Sequence, residues 1–225
     1  MMPLAFTQIG LVAAWLGLVG GVAEGLRRTT GVDTEITRKI VHIGAGQVIL
    51  LAWWLHTPTW MGLTASVVFS GVALFSYRYP ILPGINGVGR NSLGTFFYAI
   101  SIGVLTACFW PMGQPAYAVL GILVMTWGDG LAALVGQNFG RHPYVIFGNK
   151  KSIEGSLTMA LASFVVSVLV LGAIAGITWP VLGIAAGVAI AATLLETLSF
   201  YGLDNLTVPL GSAFIAYGLM QPLIG

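Results

Sequence analysis

Apolar runs long enough to cross a lipid bilayer follow one another along almost the whole chain, at roughly 4–23, 39–55, 59–76, 93–111, 115–137, 156–177, 179–197 and 206–224. A helix crossing the hydrocarbon needs about 20 mostly apolar residues, within a range near 17 to 25. The expected fold is therefore all-α: a polytopic membrane helix bundle of about eight transmembrane helices, or seven if one marginal run drops out. Composition agrees, with 57% of the 225 residues hydrophobic and only 7% charged, against roughly 25% charged in an ordinary soluble domain. Only short breaks separate the runs, and no Ser/Pro-rich linker divides them, so the expectation is one integral membrane domain over 1–225. The 31 glycines suit membrane helices that pack backbone to backbone.

The nine basic residues are unevenly placed. Arg27, Arg28, Arg38 and Lys39 fall in or beside the first connection, Arg78 and Arg90 in the third, and Arg141, Lys150 and Lys151 in the fifth, whereas the second, fourth and sixth connections carry no charge. The positive-inside rule then puts the odd connections in the cytoplasm and the N-terminus outside. The first run lacks a preceding Lys or Arg, unlike a cleaved signal peptide, and reads as a retained helix. Six of the seven acids, Glu24, Asp33, Glu35, Glu154, Glu196 and Asp204, lie in or beside the same odd connections. One face is expected to hold almost all the chemistry. A net charge of +2 from so few groups gives no argument for a nucleic-acid partner, and none is expected. The single Cys108 lies in an apolar run and reads as a small packed side chain.

The seventh acid, Asp129, is inside an apolar run, in TWGDGLAALVG. It comes about 12 Å before the end of its helix at a 1.5 Å rise per residue. An ionised carboxylate facing lipid there costs at least about 2.5 to 3.5 kcal/mol, so it should face a hydrated cavity, a cation or a ligand; a hydrogen bond to a neighbouring helix is the alternative. Gly128, Ala132, Gly136 and Gly140 form a smooth stripe that admits a close neighbour.

Immediately downstream, GRHPYVIFGNKKSIEGS supplies Arg141, Lys150, Lys151, Ser152, Glu154 and Ser156 ahead of another apolar helix. Asn149, Ser152 or Ser156 would cap that helix, and its free N–H groups and dipole attract phosphate. Two lysines at a helix start are unfavourable unless an anion compensates them, although topogenic lysines would read the same way. A carboxylate and a polyanion cradle about 20 residues apart suit a nucleotide polyphosphate with Mg²⁺, an ion that prefers one or two carboxylates plus phosphate oxygens. Further along, LLETLSFYGLDNLTVPLGS places Glu196, Asp204 and Asn205 between the last two runs, where Asp204 and Asn205 either cap the final helix or orient a hydroxyl. In TRKIVHIGAG, Arg38 and His42 share a helical face, with Lys39 within one turn; in GRNSLGTFFY, Arg90, Asn91, Ser92 and Thr95 open the fourth run. Both patches read equally as phosphate or base contacts and as helix-end anchors or caps. His56 and His142 are assigned no role.

The segments RKIVHIGAG, GRNSLGTFFY, WGDGLAALVGQNFG, NKKSIEGS and ETLSFYGLDNLTVPLGS together resemble the membrane kinases that phosphorylate isoprenoid alcohols with CTP, of the phytol and dolichol kinase type, which are distantly related to CDP-diacylglycerol synthase. The final segment resembles the kinase ending rather than that of the cytidylyltransferases, and the length is nearer the phytol type. The resemblance implies that Asp129 binds Mg²⁺ and that Lys150, Lys151 and Ser152 hold the triphosphate of CTP. It implies support from Glu154 and Glu196, and contact of Asp204 with Asn205 to the metal or the acceptor hydroxyl. No G-x-x-x-x-G-K-[ST] loop occurs.

The expected activity is transfer of the γ-phosphoryl group of CTP to an isoprenoid alcohol. Asp129, Lys151, Asp204 and Glu196 are expected at the chemistry, with Asp129 and Asp204 on the metal. Lys150, Lys151, Ser152, Glu154, Arg38, Lys39, His42, Arg90 and Asn205 are expected around the nucleotide. The partners are the alcohol, CTP and membrane lipid, with a homo-oligomer left open, and the site faces the cytoplasm in a cell or thylakoid membrane. The alternatives are a CTP-dependent cytidylyltransferase making a CDP-lipid and a small-molecule membrane transporter, although a transporter is expected to carry its polar groups near the midplane.

Overall fold

The computed structural model describes residues 2–30, 34–79 and 93–224. Among them the chain forms nine helices: α1 (Met2–Thr30), α2 (Thr34–Gly46), α3 (Val48–Trp54), α4 (Thr59–Arg78), α5 (Gly94–Phe109), α6 (Pro115–Phe139), α7 (Ile153–Ala175), α8 (Trp179–Thr197) and α9 (Asp204–Ile224). A two-stranded hairpin, β1 (Pro143–Ile146) and β2 (Asn149–Ser152), joins α6 to α7. Six helices, α1, α4, α6, α7, α8 and α9, are long and apolar enough to cross a membrane. The protein is an all-α polytopic membrane bundle.

Two of the eight expected crossings take another form. The run 39–55 is not one helix: α2 ends at Gly46 and α3 starts at Val48. At the break, Gln47 N–H bonds back three residues to the Gly44 carbonyl at 3.2 Å, and the Gln47 side chain donates to Ile43 O at 3.0 Å. That tighter turn replaces one α-helical bond without reversing the chain. The run 93–111 yields α5, whose 16 residues span only about 24 Å at 1.5 Å per residue.

Helix α6 is the spine. In its most apolar stretch 67% of the residues are buried, against 11% in α1, so α6 sits inside the bundle while α1 lies against its outside. Pro115 opens α6 in the first turn, where its missing N–H costs nothing. Gly121 lets the α9 backbone approach at Pro209, because a β-carbon there would collide with the Pro209 carbonyl. At the same end as Pro115, Phe109 of α5, Tyr117 of α6 and Tyr217 of α9 form an aromatic cluster with ring centroids 5.3 to 5.7 Å apart. Offset and edge-on rings of this kind stabilise by about 0.5–1.5 kcal/mol per pair beyond their burial. Trp110 Nε1 donates to Thr57 O at 3.0 Å and ties the α3–α4 connection to that end.

The opposite end collects the polar connections. In the hairpin, Tyr144 stands opposite Lys151 and Val145 opposite Lys150. Its two-residue turn, Phe147 and Gly148, has φ of +47° and +78°, the paired positive values that match the twist of tight hairpins. The Ser152 hydroxyl accepts from Gly155 N–H at 3.1 Å and caps α7, while Gly176 at φ +75° ends it. Asn149 Nδ2 donates to Ser199 O at 3.2 Å, and Leu93 N–H donates to Tyr201 O at 3.1 Å. The hairpin, the α8–α9 connection and the start of α5 are thereby fastened together.

Candidate active site

The polar end of the bundle contains a nearly buried set of opposite charges drawn from four helices and a strand. Lys39, in the middle of α2, donates from Nζ to Oδ2 of Asp129 on α6 at 2.6 Å, with the two side chains 10% and 16% exposed. Lys151 of β2 donates to the Oε1 and the backbone carbonyl of Glu196 in the last turn of α8. Asp204 and Asn205 open α9; the Asp204 N–H donates to the Ser199 hydroxyl, and Asp204 Oδ1 accepts from Asn205 N–H at 3.0 Å. Electrostatically these are one group: Lys39 and Lys151 act on Asp129, Glu196 and Asp204 alike, and Asp129 acts on both other carboxylates.

Burial of five charges costs several kcal/mol per ion unless each is paired, and here two ammoniums face three carboxylates. Close backbone packing brings them together. Gly46 on α2 lies against Thr126 of α6, and Gly130 beside Asp129 lies against Ile43, so side chains at either glycine would push α2 away and open the Lys39–Asp129 pair. Thr126 donates to Ile122 O at 2.6 Å and lies 3.2 Å from the Tyr98 hydroxyl of α5. The Tyr98 ring in turn packs on His42 at a centroid distance of 5.1 Å.

His42 is about one turn further along α2 than Lys39, away from the start of the helix. Its Nε2 is buried 4.0 Å from Asp129 Oδ2 and makes no hydrogen bond to any described residue. A buried nitrogen left without a partner costs about 1–3 kcal/mol, so it marks a place where one further polar group is accommodated. Arg38, half-buried, adds its charge beside His42.

The other residues singled out from the sequence fall elsewhere. Lys150 alternates with Lys151 along β2 and is exposed, on the opposite face of the strand from the charged set. The Ser152 hydroxyl is buried and occupied in capping α7. Glu154 accepts at 2.6 Å from, or pairs with, Nδ1 of His142, and it accepts from the His142 N–H at 3.3 Å, bracing the hairpin against α7. Arg90, Asn91 and Ser92 lie outside the described residues, while Thr95 stands in the first turn of α5.

Sequence reasoning missed His142, Ser199 and the Tyr98–Thr126 pair. Thr126 and Asp129 are three residues apart in one helix, which was a usable signal for a shared polar face. Tyr98 and Ser199 become partners only through tertiary packing.

Among the described residues, no group of three or more His, Cys, Asp or Glu side chains is arranged to hold a metal ion. A protein-only metal cage is thus not formed by them. The set does offer two carboxylates near two ammoniums, the donor chemistry that holds Mg²⁺ jointly with phosphate oxygens rather than alone.

Comparison with known proteins gives concordant results. The chain is 57% identical over 209 residues to the phytol kinase of Synechocystis sp., an alignment covering 93% of this chain and 90% of that protein. It is 26% identical to phytol kinase 1, chloroplastic, of Arabidopsis thaliana, over 92% of this chain and 75% of the relative. It is 32% identical to farnesol kinase, chloroplastic, of the same plant, over 60% of this chain and 47% of the relative. No family model matches the chain, and no solved structure does.

Proposed function

The chain belongs to the phytol kinase family, and from that premise we propose that it is a membrane kinase that phosphorylates an isoprenoid alcohol of the phytol class at the buried charged set, with CTP as donor and Mg²⁺ as the metal. The observation that carries the assignment of the site is the convergence of Lys39–Asp129 and Lys151–Glu196, two ion pairs from four separated parts of the sequence, at one end of the bundle.

The pairs are suited to partner exchange. A triphosphate entering the set draws Lys39 and Lys151 from carboxylate to phosphate oxygens, since ammonium groups bind phosphate as point charges without a fixed geometry. Asp129, relieved of Lys39, and Asp204, which neither lysine pairs with directly, are the carboxylates that would hold Mg²⁺. When bound, the metal supplies charge neutralisation across the phosphate oxygens. Lys151 is held on a strand whose hairpin is fastened to the α8–α9 connection, so its ammonium is positioned before the nucleotide arrives.

In the reaction, the oxygen of the alcohol forms a bond to the γ-phosphorus as the bond from that phosphorus to the β-γ bridging oxygen breaks, leaving CDP. The hydroxyl proton passes to a carboxylate of the set, and Glu196, released by Lys151 as the triphosphate binds, is the acceptor we assign. Phosphoryl transfer depends mostly on positioning and charge neutralisation, which a preformed cluster of fixed charges provides. The alcohol reaches the set from within the bilayer, on the His42 side, and the nucleotide reaches it from the aqueous side that the hairpin borders. That aqueous side is the cytoplasmic one if the basic connections follow the positive-inside rule.

The test is direct. Purified protein in detergent receives phytol and Mg²⁺ with γ-labelled CTP, UTP or ATP, and the lipid products are separated. Labelled phytyl phosphate with CTP is the expected result; a labelled lipid phosphate from ATP alone would overturn the choice of donor, and no lipid phosphate from any donor would overturn the activity.

A further inference from the structure

Beyond the charged set, the face of α2 that carries His42 continues across the break at Gln47. Residues four, eight and eleven positions beyond His42 are Gly46, Leu50 and Trp53, which lie on one stripe at helical spacing. Gly46 contacts α6 at Thr126, and Leu50 and Trp53 pack against the buried core, so the stripe faces the same interior as Lys39 and His42. At its far end is an open recess of about 450 Å³, lined by Leu50, Leu51 and Trp53 together with Trp54 and His56, which are exposed on the outside of the bundle. Its wall is apolar except at His56, and its volume is in the range of small-molecule sites, about 300–1,000 Å³.

The distance from the site to this recess is a molecular length. Along the helix, Leu50 is about 12 Å and Trp54 about 18 Å beyond His42 at 1.5 Å per residue. A chain of sixteen carbons in the extended zigzag of ordinary single bonds covers about 20 Å, the span of four isoprene units. A hydroxyl at the charged set would therefore bring the fourth unit to the level of the recess, whereas a two-unit alcohol would stop well short. The recess is tied to α1 at its far end, where Gln8 Nε2 donates to Leu55 O at 2.9 Å.

We propose that the recess beside α3 receives the far end of the acceptor's isoprenoid chain and sets the chain length the enzyme prefers. This rests on the isoprenoid-alcohol reading of the charged set and adds a second contact remote from the chemistry. Binding energy gained there by a long alcohol is available for orienting its hydroxyl, which is how a remote contact raises kcat/KM for one chain length over another.

The experiment compares kcat/KM for alcohols of two, three, four and five isoprene units in wild-type protein, Leu50→Trp and Trp54→Ala. Filling the recess with Leu50→Trp is expected to lower kcat/KM at least tenfold for the four-unit alcohol and less than threefold for the two-unit alcohol. Trp54→Ala enlarges the recess and, because that side chain is 78% exposed, retains the fold if Leu50→Trp does not. It is expected to raise the preference for a five-unit alcohol over the four-unit one. If both folded variants change all alcohols by one common factor, the recess is filled by membrane lipid instead and the proposal is overturned. Wild-type protein that phosphorylates none of the alcohols overturns the functional reading itself, an outcome distinguishable from loss of length discrimination.

Discussion

Lys39 and Asp129, 90 positions apart in the chain, meet at 2.6 Å across the α2–α6 contact, with both side chains largely withdrawn from solvent. A buried pair of this kind is stable only as a pair. Removing one partner costs about 3–5 kcal/mol because the other charge is left uncompensated, whereas replacing both with apolar or neutral groups is often neutral. Lys39→Met and Asp129→Asn should each lower the melting temperature in detergent, and the double variant should recover most of that loss. Turnover should remain absent in the double variant, because stability returns without the charges that the phosphoryl donor needs. A thermal unfolding series with parallel product assays separates the two effects.

The α2–α6 contact that forms this pair is set by a missing side chain. At Gly46 a β-carbon would collide with the Thr126 side chain, and overpacking of this sort costs about 1–3 kcal/mol. Gly46→Ala should therefore destabilise the protein and reduce activity by displacing Lys39 from Asp129. Adding Thr126→Ala should restore a substantial part of both, so the double-mutant cycle is expected to show coupling above about 0.5 kcal/mol. Strict additivity in melting temperature and turnover would argue that the two helices do not press on one another at this point.

What the sequence disclosed follows from which forces act locally. Hydropathy marks the six long helices, because burial in lipid depends on composition over a whole run, and the buried Asp129 stands out against it. The break at Gln47 is not visible to that measure, since VILLAWW after it is as apolar as a continuing helix. The hairpin was similarly hidden: NKKS reads as a helix start, yet the β-branched pair Val145 and Ile146 ahead of Phe147–Gly148 forms a strand and a tight turn. That turn alters the site, because strand alternation sends Lys151 inward and Lys150 outward where a helical reading kept them together. The union of Lys39, Asp129, Lys151, Glu196 and Asp204 arises from packing between distant segments. The sequence could suggest it only by crowding these residues toward connections of one parity.

The metal reading has its own test. If Asp129 and Asp204 hold Mg²⁺ together with the phosphates, chelation by EDTA should abolish product formation and added Mg²⁺ should restore it in the wild type. Asp204→Asn should raise the Mg²⁺ concentration needed for half-maximal activity by tenfold or more, without a matching fall in melting temperature. An unchanged Mg²⁺ requirement in that variant would remove Asp204 from the metal site.

The most direct measurement of the central claim is the kinetic contrast between neighbouring residues that the fold separates. With CTP, Mg²⁺ and phytol, Lys151→Ala and Asp129→Asn should each reduce kcat by about a hundredfold or more, the scale expected when one positioned charge is removed from the reacting phosphoryl group. Lys150→Ala and Glu154→Ala, whose side chains lie on the outer face of β2 and against His142, should stay within about threefold of wild type on the scale of surface charges. Full activity in Lys151→Ala or Asp129→Asn, or an equal loss in Lys150→Ala, would contradict a single site built from the inward-facing charges.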